Sequence, residues 1–108
     1  MVFNPMSIRG VIDWQSAEDG PTEIEISRTE HMSVVCYCFE EDDELIAHKA
    51  ERDMFVFVDQ GRVVVTAGEG KVEMGPNQCL VIPAGSSRGI EARERAVVIV
   101  AQSPPEAY

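Results

Sequence analysis

Positive charge is scarce in this sequence: nine Lys and Arg residues stand against 19 Asp and Glu, for a formal net charge of −10. A strongly acidic chain is repelled by phosphate backbones and by anionic lipid surfaces, so neither nucleic acid nor a membrane is expected as a partner. Long apolar runs are also lacking. The apolar run at 96–101 is far shorter than the roughly 20 residues that cross a bilayer, so no membrane span is expected.

Cysteine is rare as well, with three residues, and the first ten residues lack the apolar stretch of a secretory signal. An odd number of thiols without such a signal predicts reduced cysteines and a cytoplasmic location. Cys36 and Cys38 lie two apart in an apolar run, which puts their Cα atoms about 6.5 to 7 Å apart on one face of a strand. We predict that they are not bonded to each other and that Cys79 is a core residue.

Helical periodicity is absent, and short β-branched runs alternate instead with turns rich in Gly, Pro, Asn and Asp. The length of 108 residues and the hydrophobic content of 44% indicate one globular domain. We predict an all-β sandwich or barrel with its core at 22–102, a polar lead-in at 1–21 and a short tail at 103–108. The predicted strands are 22–27, 33–39, 45–50, 54–59, 62–67, 71–74, 78–83, 87–92 and 96–102.

Two spaced sets of residues lie in the middle of the chain. The first set is Asp42, His48, Ala50, Met54 and Gly61. The second set is Asn77, Pro83, Gly85, Arg88 and Ala92. Their spacing resembles the two motifs of the cupin family, which read Gly, His, His, Glu, Gly and then Gly, Pro, Gly, His, Asn. The resemblance implies a cupin-type double-stranded β-helix, or jelly-roll, barrel.

In metal-binding cupins, two His and the Glu of the first motif hold a divalent ion together with the His of the second. The aligned positions here are His48, Ala50, Met54 and Arg88. Alanine has no donor atom, a thioether is a poor ligand for Fe, Mn or Zn, and a guanidinium stays cationic. We therefore expect no cofactor.

A relocated metal site remains open as an alternative. It requires that His48 be joined by Cys36 and Cys38, or by Asp53, because thiolates bind zinc well. We favour the plainer interpretation that the two thiols are buried packing residues, since the chain has no second ligand pair with zinc-site spacing.

Strand alternation, applied to the barrel, turns residues 48, 50, 54 and 56 inward to face position 88. Arg88 can then pair with a carboxylate or phosphate, and His48 can donate to the ligand or act as an acid or base. The plainer interpretation, which we favour, is that Arg88 bends out of the rim into solvent and that His48 is a hydrogen-bonded core residue. The predicted ligand-binding set is His48, Arg88, Met54, Ala50, Val56 and Cys38.

These features predict a cupin-like barrel that binds a small organic molecule, of anionic type if Arg88 takes part, without a metal, or that acts as a regulatory module. The alternative is a metal-dependent enzyme of the isomerase or dioxygenase type with non-standard ligands. A third interpretation is an interaction protein that uses the barrel as a scaffold. The resemblance also implies a homodimer, since exposed strand edges need cover. No catalytic residue is assigned, because the chain has two His and no Gly-x-Ser-x-Gly sequence.

Overall fold

The computed structural model describes residues 2–14 and 20–106. In these ranges the chain forms one short helix, α1 (Ile8–Val11), and nine strands that each lie within one residue of their predicted bounds. The all-β prediction is confirmed, and α1 adds a single turn to the predicted lead-in. In the described part of the chain, no helix has the length and apolar character needed to cross a membrane. The strands are β1 (Thr22–Arg28), β2 (Ser33–Phe39), β3 (Glu44–Lys49), β4 (Asp53–Gln60), β5 (Val63–Ala67), β6 (Gly70–Met74), β7 (Cys79–Ile82), β8 (Ser87–Ala92) and β9 (Ala96–Ser103).

The strands form two antiparallel sheets. The five-stranded sheet has the order β1-β2-β9-β4-β7, and the four-stranded sheet has the order β3-β8-β5-β6. Their inner faces pack into one hydrophobic core that takes residues from both sheets. Along β4 the side chains of Met54, Val56 and Val58 are buried, while Phe55 points out, as the period of two in a strand requires.

The outer face of the five-stranded sheet carries a second apolar cluster. Cys36, Cys38 and Val97 are its buried residues. The N-terminal segment packs over this cluster through α1 and the residues after it, so the lead-in covers one part of the sheet. Its covering residues are Ile8, Val11, Ile12 and Trp14.

The four turn positions of the two motifs all have a left-handed backbone. The φ angles are 71° at Asp42, 84° at Gly61, 66° at Asn77 and 89° at Gly85. At Gly61 a Cβ atom would lie 2.2 Å from the backbone oxygen of Arg95, so a side chain has no room there. Asp and Asn tolerate this region better than most residues, which explains how they occupy positions where the motifs have Gly. The backbone therefore supports the alignment of both motifs.

Candidate functional site

A cavity of about 580 Å³ lies between the two sheets. Its wall is built mainly by β1 and β2 of the five-stranded sheet and by β3 and β8 of the four-stranded sheet. Single residues of β4 and β9, and Glu106 beyond β9, complete it. Because β1 and β3 are the edge strands of their sheets, the cavity occupies the side of the barrel that these edges border. We call this region the hollow side. Its size is that of an ordinary small-molecule site.

Arg88 is part of the cavity wall and is only 2% exposed. The prediction that it bends out into solvent is wrong, because its guanidinium is held by backbone carbonyls of two loops. Nε donates to the oxygen of Ser86 at 3.1 Å, and Nη2 donates to those of Ala50 at 3.3 Å and Pro83 at 3.2 Å. These bonds join the loop after β3 to the loop between β7 and β8.

One nitrogen of Arg88 is left over. Its Nη1 atom is buried and has no hydrogen-bond partner among the described residues. Burial lowers the pKa of Arg88 from its ordinary value, the nearby Arg52 lowers it further, and Asp53 and Glu51 oppose the shift. An arginine in a protein nevertheless stays charged. The wall therefore contains a fixed cation with two unused N–H bonds.

His48 also lines the cavity, but it is exposed rather than a core residue, so that interpretation is wrong. It lies on the edge strand β3 as the register partner of Arg88, and its Nδ1 is 3.1 Å from the backbone oxygen of Ile46. A bulge in β3 between Leu45 and His48 shifts the alternation by one residue. The side chains of Leu45 and His48 therefore both border the cavity, although these residues are an odd number of positions apart.

The remaining predicted residues are divided by the structure. Met54 is buried and lines the cavity. Val56 is in the core but not in the cavity wall. Ala50 is half-buried and contributes its backbone oxygen, which accepts hydrogen bonds from Arg88 and from the amide of Gly85. Of the four positions aligned with metal ligands, three side chains therefore meet at the cavity.

The predicted place of Cys38 in the barrel interior is wrong. Both Cys36 and Cys38 belong to the cluster on the outer face of the five-stranded sheet, whereas His48 lines the cavity on the inner side. The alternation of β2 explains this, because Tyr37 between them points inward. Cys79, predicted to be a core residue, is exposed.

The structure does not assemble the alternative metal site of Cys36, Cys38 and His48. Burial, and next the adjacent thiol of Cys38, raise the pKa of Cys36 to about 12, so this thiol stays protonated. Among the described residues, no group of three or more His, Cys, Asp and Glu side chains could hold a metal ion. The donor chemistry of His48, Met54 and Arg88 likewise does not fit the divalent ion of metal-binding cupins.

The acidic part of the cavity wall was missed by sequence analysis. It consists of Glu23, Glu25 and Glu106. The alternating residues of β1 offer one apolar and one acidic face, and the structure turns the acidic face to the cavity because Ile24 and Ile26 pack on the outer cluster. The apolar residues of the lead-in were the available signal. They need an apolar surface to cover, which indicates that the isoleucines of β1 face outward.

Glu23 lies opposite Tyr37 in the register of β1 and β2. Burial raises the pKa of Glu23, and the carboxylates of Glu106 and Glu25 raise it further, while Arg28 opposes the shift. Tyr37 is 5% exposed, and burial followed by Glu23 and Glu106 raises the pKa of its hydroxyl. Carboxylates and a protonated phenol therefore share this part of the wall.

Comparison with known proteins bears on the fold. No protein-family model matches the sequence, and no curated protein matches it. Solved structures do match, at low sequence identity. The protein TT1209 from Thermus thermophilus has a TM-score of 0.88 and 20% identity, over 96% of this chain and 100% of that chain.

Two further solved structures are similar to this chain. KdgF from Halomonas sp. has a TM-score of 0.80 and 28% identity, over 92% of this chain and 94% of that chain. A cupin superfamily protein from Desulfitobacterium hafniense has a TM-score of 0.80 and 16% identity, over 93% of this chain and 90% of that chain. The chain therefore has the fold of the cupin superfamily, as the spacing of its two motifs implied.

Proposed function

We propose that this barrel binds a small organic anion in its cavity and that Arg88, rather than a metal ion, supplies the positive charge. The observation that carries the proposal is the buried Nη1 atom of Arg88, which lacks a partner among the described residues in a side chain of the cavity wall. A buried donor without an acceptor is unfavourable, and a carboxylate or phosphate oxygen would satisfy it with a charge-assisted bond.

A neighbouring cation supports an anion at this position. Arg52 also has buried nitrogens, Nε and Nη1, without partners among the described residues, and it is close enough to Arg88 to lower its pKa. An anion would relieve the repulsion between two such cations. Nη1 of Arg88 is shielded from water, so binding requires a wall side chain to move.

The direct test is a heteronuclear NMR titration with hexanoate, comparing wild type with Arg88→Met. We expect hexanoate to shift the amides of β8 and of the loop after β3, and the substitution to weaken binding by about tenfold or more. Arg93→Met is the matched control, because Arg93 is exposed and pairs with Glu91 away from the cavity. Dispersed spectra of each variant report folding, and Arg88→Gln, which also removes the charge, serves if Arg88→Met does not fold. Hexanoate binding that is unchanged in a folded Arg88 variant would overturn the proposal.

The rival candidate is a metal-dependent enzyme with non-standard ligands. The presence of His48 in the cavity wall is the observation in its favour, because imidazole binds several first-row metals. Metal content per chain, measured without chelator or polyhistidine tag, separates the two candidates. Stoichiometric metal that is lost in His48→Ala would favour the enzyme, whereas folded protein without metal would favour the anion-binding barrel.

A homodimer remains our proposal for the assembly, with the uncovered part of the five-stranded sheet as its surface. Phe55 on β4 is 39% exposed and Val81 on β7 is 63% exposed, and they are register partners. They border a shallow apolar depression of about 260 Å³. In light scattering coupled to gel filtration we expect a dimer that Val81→Glu dissociates and Val72→Glu, on the other sheet, does not. A monomeric wild type would contradict this.

A cytoplasmic location also stays a prediction. The three cysteines are free thiols, which is the state expected in a reducing compartment.

A further inference from the structure

Arg52 and Arg88 differ from most other arginines of this chain because neither has an ion pair among the described residues. Four other arginines pair with a glutamate, namely Arg28, Arg62, Arg93 and Arg95. The chain has 19 acidic residues against nine basic ones, so carboxylates are plentiful. Three buried nitrogens nevertheless lack a partner within residues 2–14 and 20–106: Nη1 of Arg88, and Nε and Nη1 of Arg52. An acceptor from outside the chain would suit both side chains.

The two arginines belong to one junction of two loops. Arg52 lies in the loop after β3, and two residues before it the backbone oxygen of Ala50 accepts a hydrogen bond of 3.3 Å from Nη2 of Arg88. One residue after Arg52, Oδ1 of Asp53 accepts a bond of 2.9 Å from the amide of Ala84. The loop is thus fixed on both sides of Arg52 against the loop between β7 and β8. After burial, the charge of Arg52 is the next cause that lowers the pKa of Arg88, so the two guanidiniums are close.

The carboxylates at this junction do not cancel the two cations. Asp53 and Glu51 oppose the effect of Arg52 on the pKa of Arg88, and each has a smaller influence than Arg52. Both acidic residues are exposed, so water and salt screen their charges, whereas the three nitrogens of the arginines are buried. Asp53 also uses one oxygen for the amide of Ala84. The buried part of the junction is therefore cationic.

The number of unused donors exceeds what one carboxylate can accept. Each Nη1 has two N–H bonds and the Nε of Arg52 has one, which gives about five on the buried nitrogens without partners. A carboxylate has one negative charge and about four lone-pair positions on two oxygens. A phosphate monoester has three terminal oxygens and nearly two negative charges at neutral pH. Two guanidiniums together match the phosphate better than the carboxylate, in charge and in the number of acceptors.

We propose that the ligand of the cavity is an organic phosphate monoester whose phosphate group binds between Arg88 and Arg52. This inference rests on the anion site proposed above and adds the chemical class of its charged group. Arg88 is part of the cavity wall, whereas Arg52 lies beside the wall rather than in it. The buried nitrogens of both arginines are therefore reached when a wall side chain moves, and the bound dianion then removes the repulsion between them.

The rest of the cavity fits the organic part of such an ester. Its volume of about 580 Å³ is far larger than a single phosphate group needs. Apolar side chains from both sheets contribute to its wall, namely Val35, Leu45, Met54 and Ile90. A ligand with a phosphate at one end and an apolar body at the other would use both parts of the cavity. Free inorganic phosphate would use only the first part.

Four probes test the class of the anion: hexyl phosphate, methyl hexyl phosphate, hexanoate and inorganic phosphate. Methyl hexyl phosphate keeps the tetrahedral group and the hexyl chain but has a single negative charge. In NMR titrations of the wild-type chain at about pH 8 we expect hexyl phosphate to bind about tenfold more tightly than each of the other three, as one added charge pair allows. The backbone amide of Arg52 should shift with hexyl phosphate.

Substitutions test the part taken by Arg52. Arg52→Gln should lower the affinity for hexyl phosphate about tenfold and remove its preference over methyl hexyl phosphate, whereas Arg52→Lys, which keeps the charge, should retain that preference. Arg62→Gln is the matched control, because Arg62 is exposed, pairs with Glu73 and lies beyond the other end of β4. Dispersed spectra show whether each variant is folded. The comparison of monoester with diester on wild type needs no variant, so it tests the inference even if Arg52→Gln does not fold.

The outcomes separate this inference from the function on which it rests. Equal binding of hexyl phosphate and methyl hexyl phosphate, or a preference that survives Arg52→Gln, would overturn the phosphate inference, and the anion site would stand if hexanoate still bound through Arg88. Inorganic phosphate that binds as tightly as hexyl phosphate would overturn the organic ester, because the free ion would then suffice. Failure of all four probes to bind would reject the phosphate group and the anion site together.

Discussion

The two sides of the barrel interior are built differently. On the filled side, between β4 and β7 of one sheet and β5 and β6 of the other, the inward side chains are apolar and almost fully buried. On the hollow side, between β1–β2 and β3–β8, the strands enclose a cavity with charged groups in its wall. The filled residues are Val56, Val58, Val63, Val65, Met74 and Ile82.

The difference indicates how stability and binding are divided in this fold. Close packing on the filled side supplies dispersion contacts and removes apolar surface from water. The hollow side is held instead by hydrogen bonds from Arg88 to the loops around it. A polar wall is tolerated there because the filled side already provides a core.

The largest effect is expected from truncation on the filled side. Ile82 is 1% exposed, and Ile82→Ala should reduce the free energy of unfolding by about 2 to 5 kcal/mol. Leu45 is partly buried and borders the cavity, so Leu45→Ala should cost only about 1 kcal/mol. Urea unfolding of both variants measures the contrast. Equal losses would show that the hollow side packs as tightly as the filled side.

The next effect concerns the polar support of the hollow side. Arg88→Met removes three hydrogen bonds to backbone oxygens, and we expect a loss of about 2 kcal/mol in the free energy of unfolding. Arg93→Met, which removes only an exposed ion pair with Glu91, should change it by less than about 1 kcal/mol. If the two substitutions cost the same in urea unfolding, Arg88 has no supporting role.

Enlarging a side chain should also destabilise the filled side more than the hollow side. Val65 is fully buried, so Val65→Leu overpacks the filled side and should cost about 1 to 2 kcal/mol. Leu45→Phe can extend into the cavity and should leave the free energy of unfolding nearly unchanged. Thermal unfolding of the pair, followed by circular dichroism, checks this, and a large loss in Leu45→Phe would mean that the cavity is too narrow to accept the ring.

The smallest effect comes from the acidic wall. The pKa of Glu23 is raised by burial and then by Glu106 and Glu25, against the effect of Arg28, and the facing phenol of Tyr37 stays protonated. A carboxyl whose pKa is higher in the folded state binds its proton more readily there, so stability falls as pH rises through the raised pKa. Glu23→Gln should remove this loss. We expect it to raise the free energy of unfolding by less than about 1 kcal/mol at about pH 7 and not to change it at about pH 4.

The pH dependence has its own control. Glu91→Gln removes a carboxylate outside the cavity and should give no gain at either pH. Urea midpoints of both variants at the two pH values are the measurement. A gain from Glu23→Gln that is the same at both values would mean that ionisation of Glu23 is not its cause.

The fold was predictable from sequence because its signals are local. Strand periodicity and turn residues set nine strands within one residue of their observed ends, and the spacing around Gly61 and Gly85 indicated the barrel type. The inward positions of Met54 and Val56 followed from alternation. Such inferences need only the neighbours of a residue along the chain.

The candidate site was less predictable because it depends on what lies across from each strand. Alternation cannot tell which face of β2 is inside, so Cys38 was placed on the wrong side. It also cannot foresee that His48 is exposed on the edge strand β3 or that backbone carbonyls hold Arg88 inside. The acidic face of β1 turns inward only because its isoleucines find cover from the N-terminal segment.

The left-handed turns at Asp42 and Asn77 also affect the unfolded chain. Glycine at these positions would adopt the native φ without strain, but it would give the denatured ensemble more backbone conformations to lose on folding. With Asp or Asn at these positions, the native turn has some local strain, but the unfolded chain has fewer backbone conformations to lose. Part of this barrel's resistance to unfolding therefore lies in conformations that the unfolded chain does not visit, rather than in any contact of the folded one.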